Sequence, residues 1–140
     1  MRIPLLLLPL LIVTLAAPAA AEHEVYYRYT VLGYVRNAVG TPQPSETVEL
    51  IRDKTGFSYL AQTDPDGLFV IVARLGDESA GEHLTLRHGP VSAQLTVRFQ
   101  AANHTDERGT RVDLEGGRVV ERPTAFHSTL ANFLSATTRP

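Results

Sequence analysis

The chain contains no cysteine among its 140 residues, and its one methionine is Met1. The first absence removes disulfides, thiol nucleophiles and thiolate metal sites together. With the second, the soft sulfur donors that a copper(I) carrier needs are gone as well. Basic charge is in short supply: 13 Lys and Arg stand against 15 Asp and Glu, for a formal net charge of −2, and no basic stripe runs along the sequence. A mildly acidic surface of this kind argues against nucleic acid and against an anionic membrane as partners. Catalytic signatures are also lacking, with no Gly-x-Ser-x-Gly elbow, no His-Glu-x-x-His pair and no glycine-rich phosphate loop.

What is present begins with a leader. Met1 and Arg2 supply a short positive start, Leu5 to Leu15 is apolar apart from Pro9 and Thr14, and a run of alanines around Pro18 follows. This is the layout of a secretory signal, and residues 1–21 are expected to be cleaved, with Glu22 as the mature start. The apolar stretch falls short of the ~20 residues that cross a bilayer and is interrupted by prolines. No later segment is long and apolar enough to span a membrane, so no integral segment remains after cleavage. A periplasmic or secreted protein follows, stabilised by burial and hydrogen bonds rather than cross-links.

The remainder alternates with the period of two that strands require. In "EVYYRYTVLGYVRN" one face carries Val25, Tyr27, Tyr29, Val31, Gly33 and Val35 and reads as core. The other, with Tyr26, Arg28, Thr30, Leu32, Tyr34 and Arg36, reads as the wet side of a sheet. "AVGTPQPS" breaks the pattern with Gly40, Pro42 and Pro44. Strands follow at Thr47 to Arg52, with Val48 and Leu50 inward, and at "FSYLAQ", with Phe57, Tyr59 and Ala61 inward. "LFVIVARL", "EHLTLRH" and "VSAQLTVRFQ" complete six strands, and "RVDL" with "RVVE" suggests one more. The sum is an all-β chain, a six- to seven-stranded antiparallel β-sandwich.

Between the third and fourth strands lies "TDPDGLF", whose two carboxylates invite a calcium or catalytic reading. A calcium loop needs more oxygen ligands at alternate positions, closed by a later bidentate Glu, and "LFVIVARLGDE" does not supply them. A turn is the better account. Pro65 presets φ, Asp64 bonds back to the following backbone, and Gly67 takes a positive φ, so Thr63 to Gly67 is read as a hairpin connection.

From Ala101 the character changes to polar and turn-rich. After Pro123, Phe126, Leu130, Phe133 and Leu134 recur at helical spacing, with Thr124 as N-cap, which predicts a short amphipathic helix near residues 125–136. Such a helix is marginal alone in water and must dock on its own sandwich or on a partner.

With the strands placed, the chain resembles the carboxypeptidase regulatory-like domain, also described as the transthyretin-like β-sandwich. The likeness rests on Gly33 and Val35, Gly40 and Pro42, Val48 and Leu50, and Thr63, Asp64, Asp66, Gly67 and Phe69. It implies a sandwich over residues 22–101, followed by an extension over residues 102–140. It also implies that Thr-Asp-x-Asp-Gly-x-Phe is a structural corner, with Phe69 a core anchor. Where the family has a short Pro-Gly turn leading to Gly-x-Tyr, this chain has the longer "GDESAGEHL". Related hydrolases of this architecture end in Tyr-Arg-Gly-Ser; this chain ends Thr-Thr-Arg-Pro, so their activity is not carried over.

Sandwich dioxygenases bind iron through paired His and paired Tyr, whereas Tyr26, Tyr27, Tyr29 and Tyr34 all fall on one strand here. The expectation is therefore a non-catalytic accessory or binding module for a periplasmic protein partner. Its contacts are expected from sheet edges, the loop at residues 76–81, and Phe126, Leu130, Phe133 and Leu134. One alternative is a copper(II) or zinc protein. Cleavage before Glu22 places His23 beside a free amine and carboxylates, and His83, His88, His104 and His127 are further donors. A weaker alternative is a carbohydrate-binding module using Tyr26 and Tyr34.

Overall fold

The computed structural model describes residues 27–137, so the leader, His23 and Tyr26 lie outside the described residues. In chain order the strands are β1 (Tyr29–Arg36), β2 (Thr47–Arg52), β3 (Phe57–Gln62), β4 (Leu68–Ala73), β5 (His83–His88), β6 (Val91–Thr96), β7 (Gly109–Glu115) and β8 (Arg118–Glu121), followed by the helix α1 (Phe126–Thr137). They form two four-stranded sheets, the first ordered β4-β1-β7-β8 and the second β3-β2-β5-β6. The strands number eight rather than six or seven. "RVDL" and "RVVE" belong to two separate strands paired across a Gly116-Gly117 turn. Nor is the sandwich wholly antiparallel, because β7 pairs with β1 in parallel.

The boundary expected at residue 101 therefore runs through a sheet. β7, from beyond that point, sits between β1 and β8 in the middle of the first sheet. Gly33 permits its approach: a Cβ there would lie 1.6 Å from the Val112 carbonyl oxygen. Paired positions lapse at Gly33 and Tyr34, between Leu32 opposite Arg111 and Val35 opposite Leu114. At this gap the Asp113 carboxylate accepts the Tyr34 amide N–H at 3.0 Å.

Between the sheets, Tyr29, Val31, Val35, Val48, Leu50, Phe69, Ile71, Leu84, Leu86, Val97 and Val112 are sequestered from solvent. Each large apolar side chain so placed contributes about 1.5–3 kcal/mol of transfer free energy. The second face of β1, read as wet, is covered too. Leu32 packs against Phe126 and Leu130 of α1, with Val70 and Phe133 at the margin. The helix is entered through a 3-10 turn, Pro123–Ala125, so Thr124 lies inside that turn and is not the N-cap. Among the described residues no helix is long and apolar enough to cross a membrane.

"TDPDG" is a corner, but it does not make a hairpin. It carries the chain from β3, at the edge of the second sheet, to β4, at the edge of the first. Asp64 accepts the amide N–H groups of Asp66 at 2.8 Å and Leu68 at 2.9 Å, which is the local bonding that makes Asp a turn residue. Gly67 has φ +80°, and a Cβ there would lie 2.6 Å from the Val35 carbonyl oxygen. Buried Thr63 donates its hydroxyl to the Gln43 carbonyl at 2.6 Å and accepts the Glu46 amide at 2.8 Å. The corner is thus stitched to the loop containing Gly40 and Pro42, while the Asp66 side chain remains exposed. No metal is needed to hold it.

Among the described residues Asp113 is the one carboxylate with no solvent exposure. Besides the Tyr34 amide it accepts bonds from Arg111, at 2.9 Å from Nη2, and from Arg122, whose other carboxylate partner is Glu115 at 2.8 Å. Burial alone would raise its pKa. The Arg111 guanidinium, the Tyr34 amide and Arg122 outweigh that and hold it below the ordinary Asp value. Arg111 also donates to the Thr129 hydroxyl at 3.1 Å, which ties the sheet to α1.

Candidate functional site

Each sheet has two edges, and the edges meet in pairs along two flanks of the sandwich: β3 beside β4, and β6 beside β8. The β3/β4 flank is the unusual one. Phe57 was expected inward, yet it is 59% exposed, because β3 is an edge strand and nothing is laid over its first residue. Its ring meets Tyr59 edge to face at 4.9 Å, and the Tyr59 hydroxyl accepts the Arg74 amide N–H at 3.1 Å. Leu60, on the opposite face of β3, is 69% exposed, and Val72 on β4 is 46% exposed.

Two further apolar residues extend this surface. Tyr27 is 56% exposed, and its carbonyl accepts the amide of Leu75, just past β4. Leu134 is 47% exposed and shares with Val70, Val72, Leu130 and Phe133 a shallow groove of about 130 Å³ between α1 and β4. The sixth large exposed apolar side chain among the described residues, Val39, stands alone in the turn after β1. Five of the six therefore follow one flank. Isolated exposed apolar residues are ordinary, but their concentration along a pair of free strand edges is not.

A broad hollow of about 710 Å³ opens on the same flank, lined by Arg52, Thr55, Gly56, Phe57, Tyr59 and Arg74. Arg52 is committed to Glu82 through two bonds of 2.7 Å, which hold the Glu82 carboxyl below its ordinary value. The loop at residues 76–81, expected as a contact surface, is braced from within while Asp77, Glu78, Ala80 and Gly81 are exposed. Ser79 is buried, the Gly81 amide donates to Val97 at 2.8 Å, and Asp77 is held ionised by Arg108 and then His104.

The tail is divided in the same way. Phe126 and Leu130, expected as partner contacts, are inside the molecule against Leu32; of that set only Phe133, half-buried, and Leu134 remain at the surface. The histidines are scattered. His88 bonds Glu46 at 3.2 Å, His104 bonds Asp77 at 3.0 Å, His127 stands edge-on to Phe126, and His83 is exposed at the start of β5. Among the described residues no three His, Asp or Glu gather to hold a metal. His23 falls outside them, as does Tyr26.

Among the described residues the tyrosines do not converge on a site either. Tyr29 is in the core, where burial raises its phenol above the ordinary value, the reverse of what a phenolate ligand needs. Tyr34 is clamped between the guanidiniums of Arg36 at 4.5 Å and Arg111 at 5.0 Å. The flank itself was legible only in part, since edge strands had been anticipated as contact surfaces without any sign of which strands were edges.

No protein-family model matches the chain, and no curated protein matches it. Solved structures do resemble it. One is the dioxygenase domain of a dioxygenase and carbohydrate-binding protein fusion from Streptomyces sp. SirexAA-E, with 17% identity over 64% of this chain and 79% of that one, at a TM-score of 0.45. Another is a DUF3823 family protein from Parabacteroides merdae, with 17% identity over 68% of this chain and 47% of that one, at 0.41. A third is catechol 1,2-dioxygenase from Acinetobacter sp. ADP1, with 14% identity over 69% of this chain and 57% of that one, at 0.43. In the last two the match spans only about half of the other chain. Likenesses this distant carry no functional assignment.

Proposed function

We propose that the protein is a non-catalytic, exported binding module of the carboxypeptidase regulatory-like kind, and that a protein partner docks along the β3/β4 flank. The observation that carries this reading is the gathering of Tyr27, Phe57, Leu60, Val72 and Leu134 beside two free strand edges. An extended apolar segment of the partner is the fitting occupant. Its backbone would pair with the open edge of β3, and its alternate side chains would meet Leu60 on one face and Phe57 on the other. The family assignment is supported by the Thr63, Asp64 and Gly67 corner, bonded as a structural turn. The non-catalytic reading is supported by the carboxylates with depressed pKa values, Asp77, Glu82 and Asp113. Each is held ionised by an arginine, which is the opposite of the tuning a general acid requires.

The test is a pull-down from the exporting organism with the mature protein as bait, beside a Phe57→Ser/Leu60→Glu variant and a Gln94→Glu control on β6. The flank variant should lose the partner by at least about tenfold while the control retains it. Equal recovery by all three baits would overturn the reading.

The same hollow favours one second reading. Phe57 and Tyr59 with the exposed side chain of Arg74 form an aromatic and cationic concavity of the sort that accepts a sugar. Glycan binding lost in Phe57→Ala and kept in Tyr34→Phe would favour it, whereas a silent glycan array would remove it.

A further inference from the structure

A second concavity lies away from the flank, at the end of the first sheet where β1 and β7 finish and β8 begins. It has a volume of about 480 Å³, and its walls include Arg36, Asn37, Glu115 and Arg118. Arg36 lies opposite Glu115, and Glu115 opposite Arg118, so the three side chains project in a row from adjacent strands onto the outer face. Farther along that face stand Tyr34, Arg111, Asp113 and Arg122.

The charges on this face do not cancel. Four guanidiniums, Arg36, Arg111, Arg118 and Arg122, face two carboxylates, Asp113 and Glu115. Both carboxylates are already engaged: Asp113 by Arg111 and Arg122, Glu115 by Arg122. Among the described residues neither Arg36 nor Arg118 has a carboxylate within ion-pair distance. Arg36 has only the Tyr34 ring beneath it, at 4.5 Å. Excess positive charge thus collects on this face, with Arg36 and Arg118 at the cleft, in a chain whose net charge is −2. The local arrangement, not the overall field, makes this place attractive to an anion.

We propose that this cleft binds a small ligand bearing oxyanion groups, phosphoryl or carboxylate, through Arg36 and Arg118. The two guanidiniums stand on strands separated by β7, roughly 10 Å apart at the backbone, and their side chains are long enough to grip two oxyanion groups of one molecule. Guanidinium matches either group with paired N–H donors, and stacking on Tyr34 limits the rotamers that Arg36 must give up on binding. Glu115 opposes a ligand that sits too deep, so the grip is at the mouth of the cleft.

The test is calorimetric titration of the purified protein at low salt with pyrophosphate and, separately, with citrate. At least one should bind saturably at one site, more weakly as salt is added. Arg36→Gln and Arg118→Gln should each weaken binding about tenfold, and the double variant about a hundredfold. Arg87→Gln, on the outer face of the second sheet, should leave binding unchanged, and melting curves would show that the variants remain folded. Binding of pyrophosphate alone assigns a phosphoryl ligand, and binding of citrate alone a carboxylate ligand. The proposal is overturned if neither saturates, or if the double variant binds as the parent does.

Discussion

The two flanks of the sandwich are built from the same kind of element and finished differently. At β6 and β8 the exposed side chains are Ser92, Gln94, Arg118 and Glu121, all polar. At β3 and β4 they include Phe57, Leu60 and Val72. A free edge offers unpaired backbone groups to any other strand, and natural sheets blunt such edges with polar or charged side chains. One flank follows that practice and the other does not. That departure is the ground for the docking proposed at β3 and β4, while the chain beyond residue 101, which supplies β7, β8 and α1, is part of the sandwich and its cover.

That contrast can be broken by stability measurements. The largest effect is expected from Phe126→Ala, which removes the ring seated on Leu32 and leaves a cavity under α1. A loss of about 3–5 kcal/mol in urea unfolding is anticipated. A cost within about 0.5 kcal/mol would mean that the tail is an appendage, not a part of the sandwich.

Asp113→Ala comes next, because it strands the Tyr34 amide and removes the shared partner of Arg111 and Arg122. About 3 kcal/mol is expected, reduced where the arginines regain water. The same network sets a pH dependence. Since the folded-state pKa of Asp113 is depressed, its contribution is present in full above the ordinary Asp value of 3.8 and is lost as pH falls through the lower folded value. The stability gap between the parent and Asp113→Asn, followed by urea midpoints, should therefore narrow on acidification below about pH 4 and stay level above about pH 5. A gap that widened in acid would refute the assignment of the ion pairs.

The smallest effect sharpens the comparison most. Leu60→Thr should change stability by no more than about 0.5 kcal/mol, since an exposed edge leucine buries little on folding. If it cost as much as a core truncation, the flank would be part of the packing and the argument for a binding surface would fail.

Much of this fold was legible in local pattern. The positions of Val48 and Leu50, Leu84 and Leu86, and the turn at Asp64 and Gly67 follow from alternation and turn chemistry that involve only near neighbours. What alternation cannot show is which sheet a strand joins. "TDPDG" suits a hairpin and a sheet-to-sheet corner equally well in its local bonding, and only the separate partners of β3 and β4 distinguish them. The face of β1 carrying Thr30 and Leu32 reads as wet because Arg28 and Arg36 bracket it, yet it is covered by a helix from far along the chain. Likewise Phe57 has the phase of a core residue but sits at a rim. The cationic cleft was invisible for the same reason: Arg36 and Arg118 are distant in sequence and meet only because β7 enters between their strands.

The most direct test of the flank as a docking surface is site-specific photo-crosslinking in the native cell, with a photoreactive side chain placed at residue 60 on β3 and, in a parallel strain, at residue 94 on β6. The account predicts a discrete crosslink to one other protein from residue 60 and none to that protein from residue 94. Crosslinks to the same protein from both positions, or from residue 94 alone, would contradict it, as would capture of only a second copy of this chain from residue 60.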